Sequence, residues 1–146
     1  MTKALNSALY SLTRREHSAW ELQKKLEQKG YSELESLHAL KECQRLGYQS
    51  DERFTEQFCR MRVMQGYGPV RIKQDLLAKG ISTEMIQKVL GQETENYWLD
   101  RAVAVSRKKC QQWLHLSWDE QQKLKRFLLY RGFPPAIIAA IFEKSE

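Results

Sequence analysis

The chain has 146 residues, 42% apolar and 29% charged, with 24 Lys and Arg against 18 Asp and Glu for a formal charge of +6. That balance supports a folded chain, and no apolar run approaches the roughly 18 residues of a membrane span. A soluble protein is expected, and the N-terminal MTKALNSALYSL, without a long apolar core or small-residue cleavage site, predicts a cytoplasmic one. Cys43, Cys59 and Cys110 are far apart, and neither they nor His17, His38 and His115 show metal-ligand spacing, so structural thiols and no metal or cofactor are expected. Residues 1–50 carry 8 basic and 6 acidic groups, 51–90 carry 7 and 5, and 91–146 carry 9 and 7. Each third is +2, which predicts basic faces along a folded body rather than a basic tail, and an acidic partner.

In chain order, Ala4, Leu5, Ala8, Leu9 and Leu12 form a helical stripe that closes near Arg14 and Arg15. Ser18-Ala-Trp-Glu21 is a capping box that opens a second helix through Leu22 and Leu26, stopped by Gly30. Ser32-Glu-Leu-Glu35 opens a third, with Leu34, Leu37, Leu40 and Leu46, ending at Gly47. Ser50 and Asp51 then offer a cap for a helix over 52–65, whose apolar stripe is Phe54, Phe58 and Met61. Gly66-Tyr67-Gly68-Pro69 is a turn with the proline at the first position of the next helix, 69–79, and a third follows over 82–90 before Gly91. After a polar link over 92–96, a helix from Tyr97 carries Leu99, Ala102, Val103, Ser106, Cys110 and Trp113. Ser117-Trp-Asp-Glu120 is again a capping box and Gly132 again a stop.

Gly30, Gly80 and Gly132 lie 50 and 52 residues apart, and the residues around them agree. Eight before stand Leu22, Ile72 and Leu124; four before, Leu26, Leu76 and Leu128; one before, Lys29, Lys79 and Arg131; one after, Tyr31, Ile81 and Phe133. Met85, Ile86, Val89 and Leu90 match Ile137, Ile138, Ile141 and Phe142, while the first copy departs there with Leu34, Leu37 and Leu40. The pattern predicts an all-α protein of three tandem three-helix repeats, 1–49, 50–91 and 92–146, forming an elongated, curved array in which each unit completes its neighbour.

Catalytic signatures are missing. Gly66-Tyr67-Gly68 lacks the Gly-Lys-Ser/Thr end of a phosphate loop, Trp118-Asp119 belongs to a capping box, and Glu21, Glu35 and Glu120 are first-turn groups, so no enzyme is expected. Basic clusters with neighbouring aromatics fall on the first two helices of each repeat. They are Arg14, Arg15, Lys24, Lys25 and Lys29; then Arg60, Arg62, Arg71 and Lys73 around Tyr67; then Arg107, Lys108, Lys109, Lys123, Lys125, Arg126 and Arg131. Within the second cluster, Arg60, Arg62, Tyr67, Arg71 and Lys73 are expected to be exposed, with Phe54, Phe58, Ile72, Leu76, Gly80 and Ile81 as core and punctuation. A sequence-reading helix-turn-helix would need polar or basic side chains on its recognition helix. The third helices are acidic or, in AIIAAIFEK, almost wholly apolar, which leaves sequence-independent nucleic-acid binding as the alternative reading.

Asp51-Glu52-Arg53-Phe54, Arg60-x-Arg62, Gly66-Tyr67-Gly68-Pro69-x-Arg71-Ile72 and Lys79-Gly80-Ile81 resemble the central pattern of the RecX family of bacterial regulators of the RecA recombinase. Arg15-Glu16-His17-Ser18 with Glu21-Leu22 and Lys25-Leu26, and Arg126-Phe127-Leu128 with Arg131-Gly132-Phe133, are similar to that family's first and last repeats. The resemblance implies a monomeric, non-enzymatic cytoplasmic regulator acting in homologous recombination, DNA repair and the SOS response. It further implies a chain that lies in the groove of the RecA filament on single-stranded DNA, restraining filament extension, ATP hydrolysis, strand exchange and coprotease activity.

Overall fold

The computed structural model describes residues 2–144. They form nine α-helices: α1 (Lys3–Arg14), α2 (Ala19–Gln28), α3 (Glu33–Arg45), α4 (Asp51–Met64), α5 (Pro69–Ala78), α6 (Thr83–Leu90), α7 (Glu95–Lys109), α8 (Trp118–Tyr130) and α9 (Pro135–Lys144). A 3-10 turn, Trp113–His115, separates α7 from α8, and no strand occurs among the described residues. The fold is all-α, as the patterning predicts.

Local chemistry sets the helix ends. The hydroxyls of Ser18, Ser32 and Ser117 accept from the N–H three residues on at 3.1, 3.1 and 3.3 Å, and Glu21, Glu35 and Glu120 accept from the serine N–H in return. Each box satisfies two donors that the helix start would otherwise leave unpaired. At the ends of α2, α5 and α8, Gly30, Gly80 and Gly132 take φ of 101°, 77° and 95°, and the next N–H returns to the carbonyl of Leu26, Leu76 or Leu128 at 3.3, 3.1 and 3.1 Å. Only a residue without Cβ holds that left-handed step at no steric cost. The repeated glycine offsets are thus one repeated backbone structure, and the three leucines beneath it are fully buried.

The buried arcs differ from the expected stripes at a few positions. On α4 the core residues are Phe54, Thr55, Phe58 and Cys59, while Met61 is 46% exposed. On α3 Leu34 and Leu46 face solvent, and Ser36, Ala39, Leu40 and Cys43 are buried instead. Of these, Ala39, Leu40 and Cys43 cluster with Ala4 and Ala8 of α1, so small residues from both helices share that core. The helix expected to carry Cys110 and Trp113 also stops short. It starts at Glu95 on a Thr94 cap and ends at Lys109, with Cys110 in extended backbone and Trp113 buried from the 3-10 turn. Arg107, Lys108 and Lys109 fill its last turn, where cations oppose the helix dipole.

The chain forms two compact units, Met1–Phe58 with Leu76–Val89 and Cys59–Asp75 with Leu90–Glu146. Counted over these residues, the first unit holds 11 basic and 10 acidic side chains, net +1, and the second 13 and 8, net +5. The even charge of the three sequence segments therefore conceals an uneven one. Arg60, Arg62, Arg71 and Lys73, with only Asp75 to oppose them, all belong to the second unit.

Candidate functional site

The second unit is built around the turn at 66–69. Gly66, at φ 90°, closes α4, and the Tyr67 N–H returns to the Arg62 carbonyl at 3.0 Å. The Gly68 N–H then donates to the Arg131 carbonyl at 2.8 Å and the Val70 N–H to the Gly132 carbonyl at 2.9 Å. A Cβ on Gly68 would stand 2.6 Å from the Gly132 oxygen, and one on Gly132 would stand 2.3 Å from the Arg71 Cβ. The glycines of the turn and of the later Arg131-Gly132-Phe133 stretch are therefore the two sides of one backbone-to-backbone contact. This accounts for Gly66-Tyr67-Gly68 without a phosphate loop.

That contact gathers charge. The guanidinium carbons of Arg62, Arg71 and Arg131 lie 5.1, 5.3 and 5.0 Å from the Tyr67 ring centroid. Arg71 also lies over Tyr130 at 5.5 Å, and Arg131 over Phe127 at 4.9 Å. Asp75 is the acidic member, 3.7 Å from Arg62 and 3.6 Å from Arg71. Guanidinium planes on ring faces gain cation–π energy and keep their edge donors for other partners.

Beside the cluster lies a cleft of about 410 Å³, lined by Val63 of α4, Arg101, Val105, Lys108 and Lys109 of α7, Phe127 of α8 and Arg131 just after it, among others. Arg131 is fixed in it by its Nη1 donating to the Gln65 carbonyl at 2.8 Å. Lys109 is held over the Phe127 ring at 4.7 Å.

The structure separates the basic residues singled out in the sequence into three environments. In the first unit, Arg15 pairs with Glu21 at 3.0 Å, Lys24 with Glu27 at 3.9 Å, and Lys29 donates to Ser7 at 3.0 Å, while Arg14 is exposed beside Tyr10. In the second, Arg60 and Lys73 are exposed as expected, but Arg62, Tyr67 and Arg71 are half-buried by their own stacking. Lys108, Lys109 and Arg131 meet in the cleft. Lys123 and Arg126 are exposed on α8, and Lys125 lies over Phe142 at 5.0 Å. Sequence reasoning missed Arg101 as a member of this site, and Phe127 and Tyr130 as the rings that hold its cations. Arg101 had a signal, because Arg101, Val105 and Lys108 at i, i+4 and i+7 share one helix face.

Titratable groups elsewhere have structural causes. Burial pushes Cys59 up to about 11 and raises Cys43, which leaves both as inert thiols. Burial also lowers His17, although its ring nitrogen meets the Arg15 carbonyl at 3.0 Å. Among the described residues no group of three or more His, Cys, Asp or Glu is arranged to hold a metal.

Three family models match the chain in order: RecX, first three-helix domain, over residues 4–43; RecX, second three-helix domain, over 50–90; and RecX, third three-helix domain, over 95–142. The Regulatory protein RecX of Legionella pneumophila (strain Corby) is 52% identical over 144 residues, spanning 99% of this chain and 95% of that one. The protein of the same name from Haemophilus ducreyi is 40% identical over 132 residues, 89% and 84% of the two chains. A crystal structure of RecX from Lactobacillus salivarius superposes with a TM-score of 0.84 at 26% identity, covering 98% of this chain and 94% of that one.

Proposed function

Because the chain belongs to the RecX family, we propose that it is a cytoplasmic regulator of the RecA recombinase that acts by binding and not by catalysis. It lies in the groove of the RecA filament on single-stranded DNA and restrains filament extension, and with it ATP hydrolysis, strand exchange and coprotease activity. The observation that carries this reading is the ordered match of all three RecX domains across residues 4–142. In this reading the three repeats, 1–49, 50–91 and 92–146, are successive docking units of a monomeric chain, so that contacts weak one by one add along the filament.

The charge distribution supports the same reading and orders the candidate contacts. The +5 unit presents Arg60, Lys73, Lys123 and Arg126 to solvent, and exposed cations steer a protein toward an acidic groove. Arg62, Tyr67 and Arg71 act mainly from within, as the packing that sets the turn in place. The test is a titration of RecA ATP hydrolysis on single-stranded DNA with this protein. The rate falls as the protein is added; an unchanged rate at every stoichiometry would sink the proposal.

A further inference from the structure

Basic side chains on helical proteins ordinarily find acidic neighbours, and six of the eleven in the first unit do. Arg15, Lys24, Arg45, Arg53, Lys79 and Lys88 each pair with a carboxylate. The cleft of the second unit is built differently. Arg101, Lys108, Lys109 and Arg131 line it and no carboxylate does, and among the described residues none of the four has an ion-pair partner.

Uncharged groups hold these cations in place. Arg131 is fixed by the Gln65 carbonyl at 2.8 Å and lies against the rings of Tyr67 and Phe127. Lys109 lies on Phe127 at 4.7 Å and Arg101 on Tyr97 at 5.5 Å. They are positioned without being neutralised, beside an apolar wall of Val63, Ala104 and Val105. The simpler account, that these cations oppose the α7 dipole, covers Lys108 and Lys109. It does not cover Arg101, two turns earlier on that helix, or Arg131, which follows α8.

We propose that this cleft is a phosphodiester site that takes the backbone of a single-stranded nucleic acid. Its volume of about 410 Å³ is that of a small-ligand site, so a nucleotide unit can enter while a duplex could touch only its rim. Guanidinium and ammonium groups suit phosphate oxygens. Val63, Ala104 and Val105 offer sugar and base an apolar surface that a run of carboxylates would not use. The site stands beside the RecA reading and does not depend on it.

The test uses the full chain without RecA and reads fluorescence anisotropy of a labelled oligothymidylate between about 50 and about 200 mM salt. Replacing two exposed cleft cations, Arg101→Gln with Lys108→Gln, lowers affinity about tenfold and reduces the slope of log affinity against log salt by about 1.4, the share of two phosphate contacts. Removing the same formal charge from exposed positions of the first unit that are unpaired among the described residues, Lys3→Gln with Lys41→Gln, changes affinity by less than about threefold. Equal losses in the two double variants would reduce the effect to net charge and overturn the site. So would polyglutamate displacing the probe as well as unlabelled oligothymidylate does, which would make the cleft a peptide groove, or a lack of saturable binding by the wild-type protein. None of these outcomes bears on the ATPase titration, which tests the RecA reading separately.

Discussion

Lys79 donates to the Glu21 carboxylate at 3.0 Å, while the residues at the same two repeat positions one copy later, Arg131 and Arg71, are both cations. In the first unit the start of α2 meets the Gly80 stop, with the Ser18 hydroxyl donating to the Lys79 carbonyl at 2.7 Å and the Trp20 Cβ filling the space above Gly80. In the second, the start of α5 meets the Gly132 stop through the Gly68 and Val70 N–H groups and the Arg71 Cβ. One repeat-to-repeat contact is therefore used twice with opposite electrostatics. The first closes on an ion pair. The second replaces the acid with Arg71 and relies on Tyr67, Tyr130 and Phe127 to hold two arginines at one contact. Rings thus take the place of the Glu21 carboxylate, and Asp75, 3.6 Å from Arg71, is the acid that remains beside them.

The Glu21 pair makes stability depend on pH. Burial alone would raise the Glu21 pKa, but hydrogen bonds from Arg15 and Lys79 outweigh it and hold the carboxyl down at about 2. A carboxylate depressed in the folded state contributes stability that is present above its unfolded pKa and is lost as pH falls through the folded one. Wild-type protein should therefore lose about 1–3 kcal/mol between about pH 5 and about pH 2 through this group, the lower figure applying because Arg15 and Lys79 are partly exposed. Glu21→Gln keeps the capping acceptor and removes the charge. Urea denaturation of the variant should show lower stability at neutral pH and a flatter profile in that acid window. An identical slope for the two proteins would show that the pair contributes nothing.

His17 acts in an earlier window. Buried and lowered mainly by desolvation, it stays neutral in the folded state where the unfolded chain would take up a proton. Stability should thus begin to fall below about pH 6.5. His17→Gln should remove that portion of the decline while leaving the Glu21 portion, below about pH 5, in place. Denaturation midpoints measured between the two windows separate the contributions, and an unchanged slope just below about pH 6.5 would refute the His17 assignment.

The turn glycines should rank by what a Cβ would meet. Gly30 has φ 101° and open space around it, so Gly30→Ala carries only the left-handed strain of about 1–2 kcal/mol. Gly132 adds to similar strain a Cβ at 2.3 Å from Arg71, and Gly68→Ala would press on the Gly132 carbonyl at 2.6 Å. Gly132→Ala should therefore exceed Gly30→Ala by about 1–3 kcal/mol, the range for overpacking a fixed contact, whereas Gly68→Ala, whose φ is not positive, carries that contact cost alone. Equal destabilisation by Gly30→Ala and Gly132→Ala in urea would mean that the contact yields.

The capping boxes and glycine stops were legible in the sequence because their chemistry is local and stated three times. Serine, glutamate and glycine at fixed offsets satisfy the backbone whatever packs nearby. The buried arcs were less legible at Met61 and Leu34, where Thr55, Cys59, Ser36 and Ala39 are buried instead. Small residues weigh little in a hydrophobic pattern, yet they let helices approach most closely. Arg62, Tyr67 and Arg71 are near in sequence and could be grouped by eye. Arg131 joins them through the contact of Gly68 with Arg131 and Gly132, a pairing over more than 60 residues that no local pattern contains.

Tyr67 should matter for its ring. Tyr67→Phe retains the face on which Arg62, Arg71 and Arg131 lie and should change stability by less than about 0.5 kcal/mol. Tyr67→Leu keeps apolar volume and removes the quadrupole, leaving three cations near an aliphatic group; a loss of about 1–2 kcal/mol is expected. Thermal denaturation distinguishes them, with the leucine variant recovering part of its loss at high salt as the arginines are screened from one another. Equal stability of the two variants would reduce Tyr67 to a filler of space.

Surface and scaffold arginines should part company in a RecA assay. Arg60 and Lys73 are exposed, whereas the Arg71 Cβ lies against Gly132 and its guanidinium lies between Tyr67 and Tyr130. Arg60→Glu with Lys73→Glu should leave the melting temperature nearly unchanged, since exposed substitutions fall within about 0.5 kcal/mol. The same double variant should weaken restraint of RecA ATP hydrolysis at least about tenfold in the concentration required, because it reverses exposed charge that the proposed docking to an acidic groove would use. Arg71→Glu should do the opposite in part, lowering the melting temperature by bringing a second carboxylate beside Asp75. If Arg60→Glu with Lys73→Glu restrains RecA as well as wild type does, the docking face lies elsewhere on the second unit, and Lys123 and Arg126 become the next pair to reverse.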